Sequence, residues 1–488
     1  MPIRSRLPSF LLCALLLGSA GLTASDRAPV EGLWHAEAGT PDNRAQIGLE
    51  ISRNQEGALM AYYTLDVVNF HRVPLRPVER VAENRYAIPA FKMEINLEGE
   101  KLRVTELLDD PLVMTRAESL PAPRARPAWP RGPDPRWQLA LGGEIVSAPA
   151  VRAGIAYVGT THGVFHAVKL SDGTRVWNFP AGRPIHGEAV TTEDAVYFTC
   201  DNGYLFRLNR ADGKEVWRYD LGDGRVSRIP PDPHVFDYDH RGATPLLLDG
   251  VLYVGSGDGG FHAVDAQGGT RIWRAELGGK IRTQAAAHET NIIVGTLANN
   301  LVALDRSTGR EVWKVMEKGP VTSSPAIEGD TLLIGSRGAV LRGLDARSGR
   351  ELWAQPWWGS WVESTAVLRD GKAYIGSGDL FLVSEFDPAT GRNLWRTHVY
   401  GWVLNRPAVT QDMVFVGVSG GKRRSPAFLK QSGGLTALHR GTGEVLWHWA
   451  AVDNAGSFLH GVVAPPVVAD DIVLAASVDG TLYAFPVR

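Results

Sequence analysis

The stretch Ala303-Leu304-Asp305-Arg306-Ser307-Thr308-Gly309-Arg310-Glu311-Val312-Trp313 decides the fold. It reads as a strand, a tight turn and a second strand. Ala303 to Asp305 end the first strand. Ser307-Thr308-Gly309 reverse the chain, and Gly309 takes positive φ without the clash a Cβ brings. Val312 and Trp313 enter the next strand, where an indole buries a large apolar area. The stretch returns at Ala167 to Trp177, Ala263 to Trp273, Gly343 to Trp353, Glu385 to Trp395 and Ala437 to Trp447, and more loosely at Arg207 to Trp217.

The tryptophans that mark it are Trp137, Trp177, Trp217, Trp273, Trp313, Trp353, Trp395 and Trp447, spaced by 40, 40, 56, 40, 40, 42 and 52 residues. A period near 40 with four short strands per unit predicts propeller blades rather than a helical solenoid. Each unit also has an upstream half, as in Pro149 to Gly159, Pro245 to Gly255, Pro325 to Gly335 and Pro407 to Gly417. Counting these gives eight units, centred on Gly159, Thr199, Gly255, Gly295, Gly335, Gly376, Gly417 and Ala476. The last unit ends at Tyr483-Ala484-Phe485 without a tryptophan, whereas Trp137 has no unit before it. The strand at Trp137 is therefore expected to complete the last blade and close the ring, which leaves no long free sheet edge.

The rest of the chain falls into three parts. Residues 1–24 read as a signal peptide: Arg4 and Arg6, an apolar run from Phe10 to Leu17, then small residues at Gly18 to Ala20 and Leu22 to Ala24. The run is too short to span a bilayer, and Leu12 before Cys13 speaks against lipidation. With Cys13 removed, Cys200 stands alone, so neither a disulfide nor a cysteine metal cluster is expected. Residues 25–120 carry alternating short strands with hairpin turns at Asn54 to Gly57 and Glu98-Gly99, similar in pattern to a small lipocalin-like β-barrel. Residues 121–135 hold six prolines, which predict an extended linker outside any helix or sheet. Residues 136–488 are the propeller. The fold class is thus all-β: an eight-bladed propeller preceded by a small β-barrel-like domain. Gly makes up 54 of 488 residues, as a turn-rich chain requires. The formal charge of −2 offers no bulk electrostatic case for nucleic acid.

Candidate chemistry lies in the insertions and in the channel. The long loop from Arg225 to His240 offers His234, Asp237, Asp239 and His240 as metal ligands by type, or as polar loop residues bonding local backbone. The Ser419–Gly434 insertion carries Lys422-Arg423-Arg424 and Lys430, either a solvated tip or a contact for an acidic partner or lipid head group. The first strand of each blade lines the channel. Residues just before those strands are Ser147, His186, Glu188, Thr244, Arg282, Ser323, Glu363, Asn405, Arg406 and His460. They form a polar ring that either bonds blade to blade or holds a small ligand. Trp357-Trp358-Gly359-Ser360-Trp361 reads as inter-blade packing or an aromatic contact surface.

The repeated Ala-x-Asp-x-x-Thr-Gly-x-x-x-Trp, intact at Ala303 to Trp313, resembles the tryptophan-docking motif of the quinoprotein-like, PQQ-type eight-bladed propellers. The resemblance covers 136–488. It implies one of two functions. Quinoprotein dehydrogenases bind pyrroloquinoline quinone and calcium on the propeller axis; the non-catalytic branch, typified by the outer-membrane-protein assembly factor BamB, is an interaction scaffold. The dehydrogenases commonly carry a vicinal cysteine pair over the cofactor, whereas here Cys200 stands alone; most blades are near the minimal length, and no haem Cys-x-x-Cys-His occurs. The convincing lipobox of BamB is also missing, and its pattern has no N-terminal β unit. The resemblance therefore favours a monomeric, periplasmic or secreted scaffold for protein partners of the cell envelope, with no catalytic residues. The alternatives are a PQQ/calcium oxidoreductase of an alcohol or sugar, and small-ligand binding in the channel.

Overall fold

The computed structural model describes residues 28–38, 44–66, 70–89, 93–105, 111–122, 125, 127–222, 228, 239, 241–357, 360–421, 432–452 and 459–488. The expected signal peptide, His234, Asp237, His240, Lys422, Arg423, Arg424, Lys430 and Trp358 lie outside those residues.

The N-terminal part is one nine-stranded antiparallel sheet: β1 (Gly32–Ala38), β2 (Ala45–Arg53), β3 (Leu59–Leu65), β4 (Phe70–Pro77), β5 (Glu79–Ala82), β6 (Arg85–Ile88), β7 (Met93–Glu98), β8 (Lys101–Val104) and β9 (Leu112–Arg116). The order is β4-β3-β2-β1-β9-β8-β7-β6-β5, so the first and last strands meet in the middle and the sheet curls. Its alternation puts one face inward: Tyr86, Ile88, Ile95, Leu102 and Met114 are fully buried. Trp34 is buried too, donating from Nε1 to Val30 O at 2.9 Å with the Arg116 guanidinium 4.3 Å above its ring.

The remainder forms eight antiparallel sheets, seven of four strands and one in which a fifth short strand, Leu459–Gly461, joins Met413–Gly421. Blade 4 shows how one unit is built, from Ala286–His288, Asn291–Gly295, Asn300–Asp305 and Glu311–Met316. Asp305 organises its outer turn. Its Oδ1 accepts the Ser307 and Thr308 N–H groups at 3.1 and 2.9 Å, and both hydroxyls at 2.6 and 2.8 Å. Gly309 closes the turn at φ 71° and donates to Asp305 O at 2.8 Å. Ala303 pairs with Trp313, but Leu304 pairs with Glu311, so Val312 is a bulged residue and stays half-exposed. The same bulge turns out Val176, Val216, Ile272, Leu352 and Leu394.

Each indole reaches the next blade. Trp273 Nε1 donates to Arg306 O at 3.0 Å, and a Cβ on Gly309 would lie 2.6 Å from the Trp273 ring. Trp137, Trp177, Trp217, Trp313, Trp353 and Trp395 donate in the same way to Leu170, Arg210, Gln267, Ala346, Pro388 and Arg440 carbonyls. Each also lies against a turn glycine: Gly173, Gly213, Gly269, Gly349, Gly391 and Gly443.

The ring closes as the repeat count implies. Trp137–Ala140 pairs with Thr481–Pro486, Trp137 opposite Ala484 and Ala140 opposite Thr481. Closure leaves Trp447 facing a blade without an outer turn of its own, because that blade's outer strand comes from the other end of the chain. Gly132 fills this place, where a Cβ would sit 2.8 Å from the Trp447 ring. Here the expectation of a linker clear of any sheet is corrected. Gly132 N–H donates to His448 O at 2.9 Å, His448 N–H donates to Pro130 O at 3.0 Å, and Arg131 bridges His448 in parallel. Trp129 packs on Tyr400 and His448 at 5.6 and 5.5 Å. Proline forbids its own N–H bond, not those of the residues between prolines, and its carbonyl still accepts.

Candidate functional site: an arginine-bridged channel mouth

The glycine that centres each unit sets the register of the next blade's inner strand. A Cβ on Gly159, Gly255, Gly295, Gly335 or Gly376 would come within 2.1–2.3 Å of Ile185, Ile281, Val321, Val362 or Val403. These β-branched side chains are wholly buried in the space glycine leaves. Each also bonds backward to the turn after that glycine: Ile281 N–H to Ser256 O at 3.0 Å, Val362 N–H to Ser336 O at 3.1 Å. The residue after each plug is thereby delivered to the same height on the channel wall. Those residues include His186, Arg282, Thr322 and Glu363.

Two arginines cross the opening. Arg406 binds Glu188 with both guanidinium nitrogens, at 2.6 and 2.7 Å, although 218 residues separate them. The carboxylate raises the Arg406 pKa against the opposing effect of burial. Arg241 donates to Thr322 O at 3.2 Å and to Leu404 O, spanning from blade 3 toward blades 5 and 7. A chain of ion pairs runs beside them. His186 Nδ1 lies 3.1 Å from Asp201, Arg228 binds Asp201 at 2.5 and 2.6 Å and Asp239 at 3.2 Å, and Arg282 meets both Asp239 oxygens at 3.1 Å. Lys280 is 3.6 Å from Asp239. Burial alone would raise the Asp201 pKa, but His186 and Arg228 hold it well below the usual carboxylate range. Glu363, fully buried, pairs with Arg337 at 2.8 Å, and Arg337 stacks 4.4 Å above the Trp361 ring. Trp357 is buried in the fold and bonds Gln355.

The structure thus brings Glu188 to Arg406, and joins His186, Asp239 and Arg282 through one network. Asn405 is buried next to them, with neither side-chain atom bonded to protein. His460 is placed differently: it sits in Leu459–Gly461, paired with the long strand Met413–Gly421, its ring over Gly420. Asp201, Arg228, Arg241 and Arg337 are the partners that the reading of inner strands passes over. Asp201 and Arg337 share a signal, since each lies two residues after the centring position of its unit (Thr199 and Gly335).

A calcium ion takes six to eight oxygens, with carboxylate charge left over for the metal. At this mouth Glu188, Glu363, Asp201 and Asp239 are each already matched by a cation, so the donor set does not fit calcium. Among the described residues His288, Glu289 and Asp330 form a separate cluster with metal-ligand spacing. There Arg347 bridges both carboxylates, at 2.9 and 3.0 Å.

These features define the class: an eight-bladed, tryptophan-docked propeller of the quinoprotein-like type. A family model described as outer membrane protein assembly factor BamB matches residues 133–233, 162–274, 257–379 and 336–425, and the chain belongs to that family. It is similar to the outer membrane protein assembly factor BamB of Yersinia pestis, 26% identical over 147 residues, 29% of this chain and 36% of that protein. It is also similar to the 1-butanol dehydrogenase (quinone) of Thauera butanivorans, 33% identical over 157 residues, 28% of this chain and 25% of that protein. The match therefore spans about a third or less of the length of these relatives. The solved BamB of Moraxella catarrhalis superposes with a TM-score of 0.52 at 16% identity, covering 72% of this chain and 97% of the other, and shares the fold.

Proposed function

We propose that this protein is a non-catalytic, extracytoplasmic scaffold that holds protein partners of the cell envelope. The observation that carries the reading is that each carboxylate named at the channel mouth is held by a cation. A catalytic metal site keeps open coordination and uncompensated acidic ligands. Here the arginines consume the carboxylates, and Arg241 and Arg406 tie opposite blades together. Such a mouth stiffens the ring as a platform. Membership of the BamB family supports the same reading, as does the minimal length of most blades. Among the described residues no helix is long and apolar enough to cross a membrane.

The test pairs two measurements on the purified mature protein. Calorimetric titration with pyrroloquinoline quinone plus calcium is expected to give no saturable heat. Cross-linked affinity capture from envelope extract is expected to enrich a small set of proteins in stoichiometric amount. Saturable binding at micromolar concentration or tighter, with dye-linked oxidation of an alcohol or sugar, overturns the proposal in favour of the oxidoreductase reading. An empty capture overturns it as well.

A further inference from the structure

A cleft of about 510 Å³ lies between blades 2 and 3, lined among others by Tyr204, Tyr219 and Asp220 from one side and Asp258, His262, Arg271 and Arg274 from the other. Its volume falls within the range of small-molecule sites. Two glycines make room for its polar wall: a Cβ on Gly222 would come 2.6 Å from Asp258 Oδ2, and one on Gly260 would come 2.5 Å from the Arg274 guanidinium.

We propose that this cleft binds a neutral saccharide of one or two rings. The argument is one of complementarity. Two arginines face two aspartates, so the fixed charges balance and a net-charged ligand gains no general attraction. The wall offers acceptors and donors together. Asp258 is a carboxylate held by Gly260 N–H at 2.9 Å and Arg274 at 3.0 Å, and its pKa is lowered by those bonds and that of Ser256 against the opposing effect of burial. Arg274 and Arg271 donate. A hydroxyl both donates and accepts, which is what such a mixed wall requires; a carboxylate or an ammonium does only one.

His262 backs this wall: it is 2% exposed, and Tyr219 Oη lies 3.1 Å from its Nδ1, which fixes the tyrosine ring that lines the cleft. The Tyr204 and Tyr219 rings supply the apolar surface on which the C–H face of a pyranose rests.

The test is saturation-transfer NMR on the full mature chain with maltose, cellobiose and N,N′-diacetylchitobiose, and with gluconate as the anionic control. Transfer to the ring protons of at least one neutral sugar is expected. The Arg271→Ala and Tyr204→Ala variants are expected to weaken its affinity by roughly tenfold each, the first through loss of one bond to a charged group and the second through loss of a ring face. Arg271 is exposed, so its variant should melt at the temperature of the parent. No transfer to any neutral sugar overturns the proposal. So does transfer to gluconate alone, or affinity unchanged in both variants.

Discussion

His166 and His262 occupy the same place in the third strands of blades 1 and 3, each opposite the outer strand and almost wholly buried. Burial pushes both pKa values down to about 4, with Arg175 near the first and Arg274 near the second adding to the effect. The unfolded chain takes up these protons near pH 6.5, the folded chain only near 4. Between those values the unfolded state binds more protons, so stability falls as the pH is lowered through the window. Each histidine costs up to about 3 kcal/mol once the pH is below 4. Asp201 acts later, because a depressed carboxylate pKa withdraws stability only below the usual carboxylate range. Urea unfolding at pH 7 and pH 5 should therefore show a clear loss. His166→Phe, which installs the residue type that Phe206 supplies at the same place in blade 2, should flatten part of that slope. A pH dependence unchanged in the variant would refute the assignment. The channel pairs belong to this scale too, and they were the least legible part of the sequence. His186, Glu188, Arg282, Glu363 and Arg406 are visible as polar residues in a repeat. That Glu188 meets Arg406 depends on which blades face each other across the ring, information no local window contains.

At the scale of the element, the turn Asp305 to Gly309 couples two demands on one glycine. Gly309 must hold φ 71° and must leave room for the Trp273 ring. Gly329 provides the control: it has φ 59° but nothing within 4 Å of a built Cβ. Gly329→Ala should cost about 1 kcal/mol, the strain of a left-handed alanine. Gly309→Ala should cost about 3 kcal/mol, because the displaced indole also loses its seat and strains its bond to Arg306. Equal losses in chemical denaturation would show that the indole does not rest on that turn. The turn, its aspartate and its tryptophan were all legible, since each is a residue type with one dominant use and the pattern recurs at fixed spacing. The bulge at Val312 was not. Two consecutive apolar residues read as a buried pair, and only the shift of partner from Trp313 to Glu311 shows that Val312 faces outward. Its outward turn interrupts the free edge of every such blade, which hinders pairing with another chain.

For the whole molecule, the decisive contact is the one between the two ends of the propeller. Seven blades are each made of consecutive strands, while the eighth depends on Trp137–Ala140 finding Thr481–Pro486. The segment before it strengthens the join: Arg136 binds Asp471 at 2.5 Å, and Gly132 supplies the surface against which Trp447 rests. Opening this seam would free a sheet edge on blade 8 and expose apolar surface that includes Leu482 and Ala484, both fully buried. A covalent lock measures how far closure governs stability. Ala140 and Thr481 are directly opposed, the first exposed and the second half-buried, so cysteines there are within the geometric reach of a disulfide. Cys200 is buried and its thiol pKa is pushed up to about 11, so it does not compete for the new bridge. The oxidised A140C/T481C protein closes a loop over most of the propeller, for which chain entropy sets a ceiling of roughly 6 kcal/mol of added stability. The expected result is a bridge that forms readily in air and a melting temperature that falls on reduction. If the thiols fail to pair, the two strands are not neighbours in solution and the ring is open. If the bridge forms without raising the melting temperature, unfolding begins elsewhere in the ring and the seam is not its weak point.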